Sequence, residues 1–176
     1  TNGAQTIAGT IDAAASGEGT VLVTDDDANE AAQALTFSSI IGGTAGVGAL
    51  TVGSATEAGH AVFTSANPVV AAAVQVLGGD NAAEDSFAEF QDDLTATSVV
   101  LNDATGDANI EFNATNGAQT LAFTVDGASA GEGTLLVTDD DAGAAPDVQT
   151  FDGIIGGTAA LKAITVGSAT EGGHAL

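Results

Sequence analysis

The sequence predicts an all-β fold, a parallel β-helix or β-solenoid built from tandem 114-residue repeats, and three observations carry the prediction. First, residues 1–62 return as 115–176 with no insertion or deletion. Gly17-Glu18-Gly19-Thr20 becomes Gly131-Glu132-Gly133-Thr134, and His60 becomes His174, each 114 residues on. About two-thirds of the paired positions are identical, and most of the others exchange one small or apolar residue for another. Second, short β-type runs recur with turn clusters between them. Third, the hydrophobic 44% is mostly Ala, Val, Ile and Leu, with 7 Phe and no Trp, Tyr or Met. That inventory suits a thin core of small stacked side chains.

In order, the β-type runs are 5–12, 20–24, 35–41, 49–53, 61–65, 72–77, 87–90, 98–101 and 110–113, after which the cycle restarts with 119–126. Clusters such as Ala15-Ser16-Gly17-Glu18-Gly19 and Gly78-Gly79-Asp80-Asn81 separate them, and these residue types tolerate tight turns and left-handed backbone. One stretch has a competing reading. Phe87 and Phe90 stand three apart beside alanines, which would also suit a short helix near 82–90.

A weaker period of about thirty residues is nested in the large one, since 119–123 and 134–137 are echoed by 149–151 and 163–166. Four such coils, each with two strand faces, would roughly fill a unit. On this reading 1–114 is one complete unit and 115–176 is the first half of the next, a window on a longer array. Side chains one unit apart, such as Phe37 and Phe151, should then occupy equivalent places in one ladder. The alternative is a row of immunoglobulin-like β-sandwiches, because 114 residues with about nine strands also fits such a domain. Against it stand the lack of a clear linker after Asn113 and of a Trp or Tyr to anchor a two-sheet core.

Charge narrows the partners. There are 24 acids and a single base, Lys162, for a formal charge of −23. Such a surface repels phosphate, which argues against nucleic acid and anionic membranes, and it attracts divalent cations. No apolar run reaches the ~18 residues that a membrane-spanning helix needs, and there is no Cys to report a redox compartment.

Calcium takes about 6–8 oxygen ligands, so the acidic turns are the candidate metal sites. The best of them runs from Asp103 to Glu111, where Asp103, Asp107, Asn109 and Glu111 alternate around Gly106. Asp25, Asp26 and Asp27, with their copies Asp139, Asp140 and Asp141, form the second set. The bland reading of both sets is a solvated turn. His60 and His174, each close to a Glu, read as exposed turn residues rather than ligands, because no second His or Cys accompanies them. Gly42-Gly43-Thr44 resembles part of a phosphate loop but lacks the Lys. Asn113-Ala114-Thr115 fits a glycosylation acceptor pattern. Catalysis is not expected: carbohydrate-processing sites need aromatic platforms and basic groups, and this chain has no Trp, Tyr or Arg.

The text Gly117-Ala118-Gln119-Thr120, followed by Thr150-Phe151-Asp152-Gly153-Ile154-Ile155-Gly156-Gly157-Thr158 and Ala163-Ile164-Thr165-Val166, resembles the repeats of very long bacterial surface proteins of the filamentous-haemagglutinin-like and autotransporter-passenger type. The first copy matches through Gly3-Ala4-Gln5-Thr6, Ile41-Gly42-Gly43-Thr44 and Leu50-Thr51-Val52. The resemblance covers about half of the chain and leaves 81–107 without a counterpart. It implies secretion to the cell surface, a β-helical build and a structural role. The expected function is therefore a component of an extracellular fibre, sheath or surface layer that associates with itself as an oligomer or filament. The alternative is an adhesin stalk that presents a distal receptor-binding domain.

Overall fold

In a computed structural model of the chain, residues 4–25, 33–64, 66–113, 115, 117–139 and 147–176 are described. Strands form where β-branched, aliphatic or aromatic residues alternate with polar or small ones, and Gly-, Ser- and Asp-rich stretches turn the chain between them. The fifteen strands among the described residues are β1 (Gln5–Ile7), β2 (Glu18–Val23), β3 (Ala34–Phe37), β4 (Val47–Val52), β5 (His60–Phe63), β6 (Val69–Leu77), β7 (Ser86–Phe90), β8 (Leu94–Thr95), β9 (Ser98–Asn102), β10 (Ala108–Asn113), β11 (Gln119–Leu121), β12 (Thr124–Gly127), β13 (Glu132–Thr138), β14 (Gln149–Phe151) and β15 (Leu161–Val166). No helix occurs among the described residues, and the stretch considered for one holds a turn and β7.

The strand pairs are parallel and the chain winds as a solenoid of about six turns. One side is a seven-stranded sheet in the order β1-β3-β5-β7-β10-β13-β15; a second holds β12-β9-β6-β4-β2, with β8 attached to β6. A third side is short. It consists of single-residue bridges linking Ile11, Ile41 and Val69, of β8 on the start of β6, and of β11 beside β14, with Ala175 bridging Gln149. A coil thus has three sides where the sequence suggested two, because a side held by one residue per coil leaves no run of alternation to read. Consecutive rungs of the large sheet are Thr6, Thr36, Val62, Glu89, Glu111, Leu136 and Thr165, so a coil takes between 22 (Glu89 to Glu111) and 30 residues (Thr6 to Thr36).

The core is a set of ladders. On the inner row of the large sheet Phe37, Phe63, Phe90 and Phe112 stack rung on rung, with ring centroids 5.0, 4.6 and 5.7 Å apart. Leu35, Ala61, Ala88, Ile110 and Leu135 form the parallel inner row. Leu50, Val74, Val99 and Val125 form a buried row on the second sheet, and Val52, Val76 and Leu101 another. Parallel pairing in register stacks these rows, so each inner apolar side chain meets another at the strand spacing of about 4.8 Å. Residues between these point outward. Leu22, between Val21 and Val23 on β2, is 59% exposed.

The local structure of the first copy recurs in the second. Gly42 N donates to Ile11 O at 2.7 Å and Gly156 N to Val125 O at 2.8 Å; Gly53 N bonds Val23 O and Gly167 N bonds Val137 O, both at 2.8 Å. Yet the copies do not lie on the same sides. β2 and β4 belong to the second sheet, whereas their counterparts β13 and β15 belong to the first. β1 and β3 belong to the first sheet, whereas β11 and β14 lie on the third side. Four coils carry Thr6 to Glu111, while the residue 114 positions beyond Thr6 is Thr120, nine residues further. The sequence period is therefore four coils and about a third. Phe37 and Phe151 pair with equivalent partners, Ile7 and Leu121, but on different sides of the solenoid. The expectation of identical places in one ladder fails for that reason, although the stacking itself holds.

Candidate functional site

Carboxylates along the coils act first as hydrogen-bond acceptors for the turns of the next coil. Asp12 Oδ1 accepts from Thr44 N at 2.8 Å and Ala45 N at 3.4 Å, and its counterpart Asp126 accepts from Thr158 N at 2.9 Å and Ala159 N at 3.4 Å. The Gly42-Gly43-Thr44 turn thus directs amides at a neighbouring Asp rather than at a phosphate. Asp85 Oδ1 accepts from Asp107 N at 2.8 Å in the same manner. These roles of Asp12, Asp85 and Asp126 are not legible in the sequence, since each partner lies 22 or 32 residues away, a distance set by coil length.

The four residues proposed as the best calcium loop do not converge. Asp103 Oδ1 accepts from Ala108 N at 2.8 Å. Asp107 Oδ1 accepts from Lys162 Nζ at 2.6 Å, and Asp103 Oδ2 lies 3.9 Å from the same ammonium. The Asp107 hydrogen bond raises the Lys162 pKa above 10.5, against a lowering by desolvation, and the charges of Asp107, Asp103 and Asp85 add to the rise. Lys162 therefore supplies the positive charge between the two aspartates. Asn109 and Glu111 follow on alternate positions of β10. Asn109 Nδ2 donates to Ser86 O at 3.4 Å, and Glu111 accepts from the Thr138 hydroxyl.

In the other acidic set, Asp25 accepts from Gln33 N and Asp139 from Asp147 N. Asp26, Asp27, Asp140 and Asp141 lie outside the described residues. Among the described residues no group of three or more His, Asp or Glu is placed to hold a metal ion.

His60 begins β5, half-buried, with its ring edge-on to Phe87 at 5.2 Å; His174 is exposed and its carbonyl accepts from Gln149 N at 2.8 Å. Asn113 is buried, with its amide nitrogen 3.4 Å from Glu89 Oε1 and its amide oxygen accepting from Thr115 Oγ1 at 2.8 Å.

Concave surface lies at the two ends of the stack. A groove of about 160 Å³ opens beside β1 and β3, lined by Gln5, Val23, Asp25 and Leu35. At the other end, a cavity of about 380 Å³ is lined by Leu135, Val137, Phe151, Ile155, Ile164 and Leu176. Ile164, Val166 and Leu176 are 54, 49 and 72% exposed there. This end of the stack is concave, apolar and exposed. Comparisons with protein-family models, with curated proteins and with solved structures find no match. No helix among the described residues is long and apolar enough to cross a membrane.

Proposed function

We propose that the chain is a structural segment of an extracellular fibre, sheath or surface layer, in which stacked coils supply length and stiffness and repeated surfaces supply self-association. The observation that supports this reading is the continuous inner ladder, Phe37-Phe63-Phe90-Phe112 backed by aliphatic rows, extending along the stack. Repetition of one surface along a rod favours head-to-tail or lateral contacts that do not close on themselves. Negative-stain electron microscopy of a protein carrying two full 114-residue units tests it. Fibres or lattices are the expected result. Monodisperse rods would favour the stalk reading, and globular particles would remove both.

Calcium is a proposed bridge between acidic turns of neighbouring molecules. At constant ionic strength, calcium should raise the melting temperature or the extent of assembly, and a chelator should reverse it. Equal effects of calcium and magnesium would leave only charge screening.

A further inference from the structure

The chain contains its own answer to what covers its open end. Ile164 and Val166 of β15 are the counterparts of Leu50 and Val52 of β4, while Ile155, Phe151 and Val137 correspond to Ile41, Phe37 and Val23. All five first-copy residues are at most 4% exposed. What buries them is the coil that follows: Leu50 pairs with Val74, Val52 with Val76 and Val47 with Ala71, all on β6, while Ile41 bridges Val69 and Phe37 stacks on Phe63. Among the described residues β15 pairs only with β13, and its other edge presents unpaired backbone.

We infer that the end formed by β15, Phe151 and Leu176 is a docking surface for a polypeptide with the sequence of residues 63–113, which adds to it as parallel strands in the register Leu161–Ala71, Ile164–Val74 and Val166–Val76. The inference rests on the stacked-array reading and specifies its joint. Because the second copy lies one side further round, the β6-type strand enters the seven-stranded sheet as its eighth member, although β6 itself belongs to the other sheet. Recognition is by main-chain hydrogen bonds for affinity and by alternate apolar side chains for register.

The test mixes the 176-residue protein with a synthetic peptide of residues 63–113 and follows hydrogen exchange at those amides of Leu161–Val166 that do not bond to β13. Slowing on the order of tenfold or more is expected with the peptide, and none with a scrambled peptide of equal composition. Ile164→Asp should abolish the effect while leaving exchange in β4 and β6 unchanged. A second form guards against a peptide that aggregates: residues 63–113 joined after Leu176 should give the same protection in one chain. Absence of protection in both forms overturns the inference. So does protection that arises from a second copy of the 176-residue protein alone, read as a concentration-dependent rise in mass. Fibres in the microscope without protection here would overturn this joint and leave the structural role standing; protection without fibres would do the reverse.

Discussion

Phe90 is the residue on which the core ladder turns. It is fully buried, with rings of Phe63 and Phe112 at 4.6 and 5.7 Å on either side. Phe90→Ala removes two stacking contacts and leaves a cavity that rigid rungs cannot close, so a loss of about 3–5 kcal/mol is expected in denaturant unfolding. The opposite sign is expected at Gln149. Its amide and that of Gln119, one rung away, are buried with no hydrogen-bond partner among the described residues. The first copy holds Leu35 where the second holds Gln149. Gln149→Leu should stabilise the protein by about 1–3 kcal/mol, the cost of an unsatisfied buried amide, read from the unfolding midpoint. Lys162 gives a pH signature. Its pKa is raised in the folded chain by Asp107, so its contribution is fully present below 10.5 and is lost as pH climbs through the raised value. The melting temperature of Lys162→Gln should fall below that of the parent at neutral pH and meet it in strong alkali.

At the scale of the element, strands were legible and their sides were not. Runs such as Ser98–Asn102 and Ala108–Asn113 alternate apolar with polar residues, which is a local signal, and the observed strands overlap the runs read from the sequence, except the two-residue β8. The run 119–126 is instead two strands, β11 and β12, because the chain turns a corner at Ala122 and Phe123 onto another side. Corners of this kind are held by contacts a full coil away, as Asp12 holds Thr44, and no local window contains both partners. The acidic turns show the same limit: their composition suggests cation ligands, and no local window shows that Asp103 and Asp107 meet a lysine 55 or more positions along the chain. Glycines separate two demands that sequence alone merges. Gly53 has φ +81°, and a Cβ there would run into the Leu77 carbonyl and the Ser86 hydroxyl. Gly17 has φ +85° with open space around it. Gly17→Ala should cost about 1–2 kcal/mol for left-handed backbone alone, and Gly53→Ala distinctly more, in paired thermal melts.

For the whole molecule, the dominant long-range term is repulsion among 24 acids with one base to oppose them. Raising monovalent salt from about 0.1 to 1 M shortens the screening length from about 10 to 3 Å. The melting temperature should therefore rise with sodium chloride, and a flat response would mean that the carboxylates are already neutralised within the coils. The fold class could be read at this scale from the repeat and the small-residue core. The number of sides could not, because a spacing of 114 residues does not state how many times the chain has gone round.

That fractional winding has a consequence for anything attached once per unit. In a longer run of the same sequence, a tag on the His60 turn would not line up along one edge of the rod. It would climb like the treads of a spiral stair, about 20 Å higher at each step given 4.8 Å per coil, and would return above its starting point only on the fourth tread.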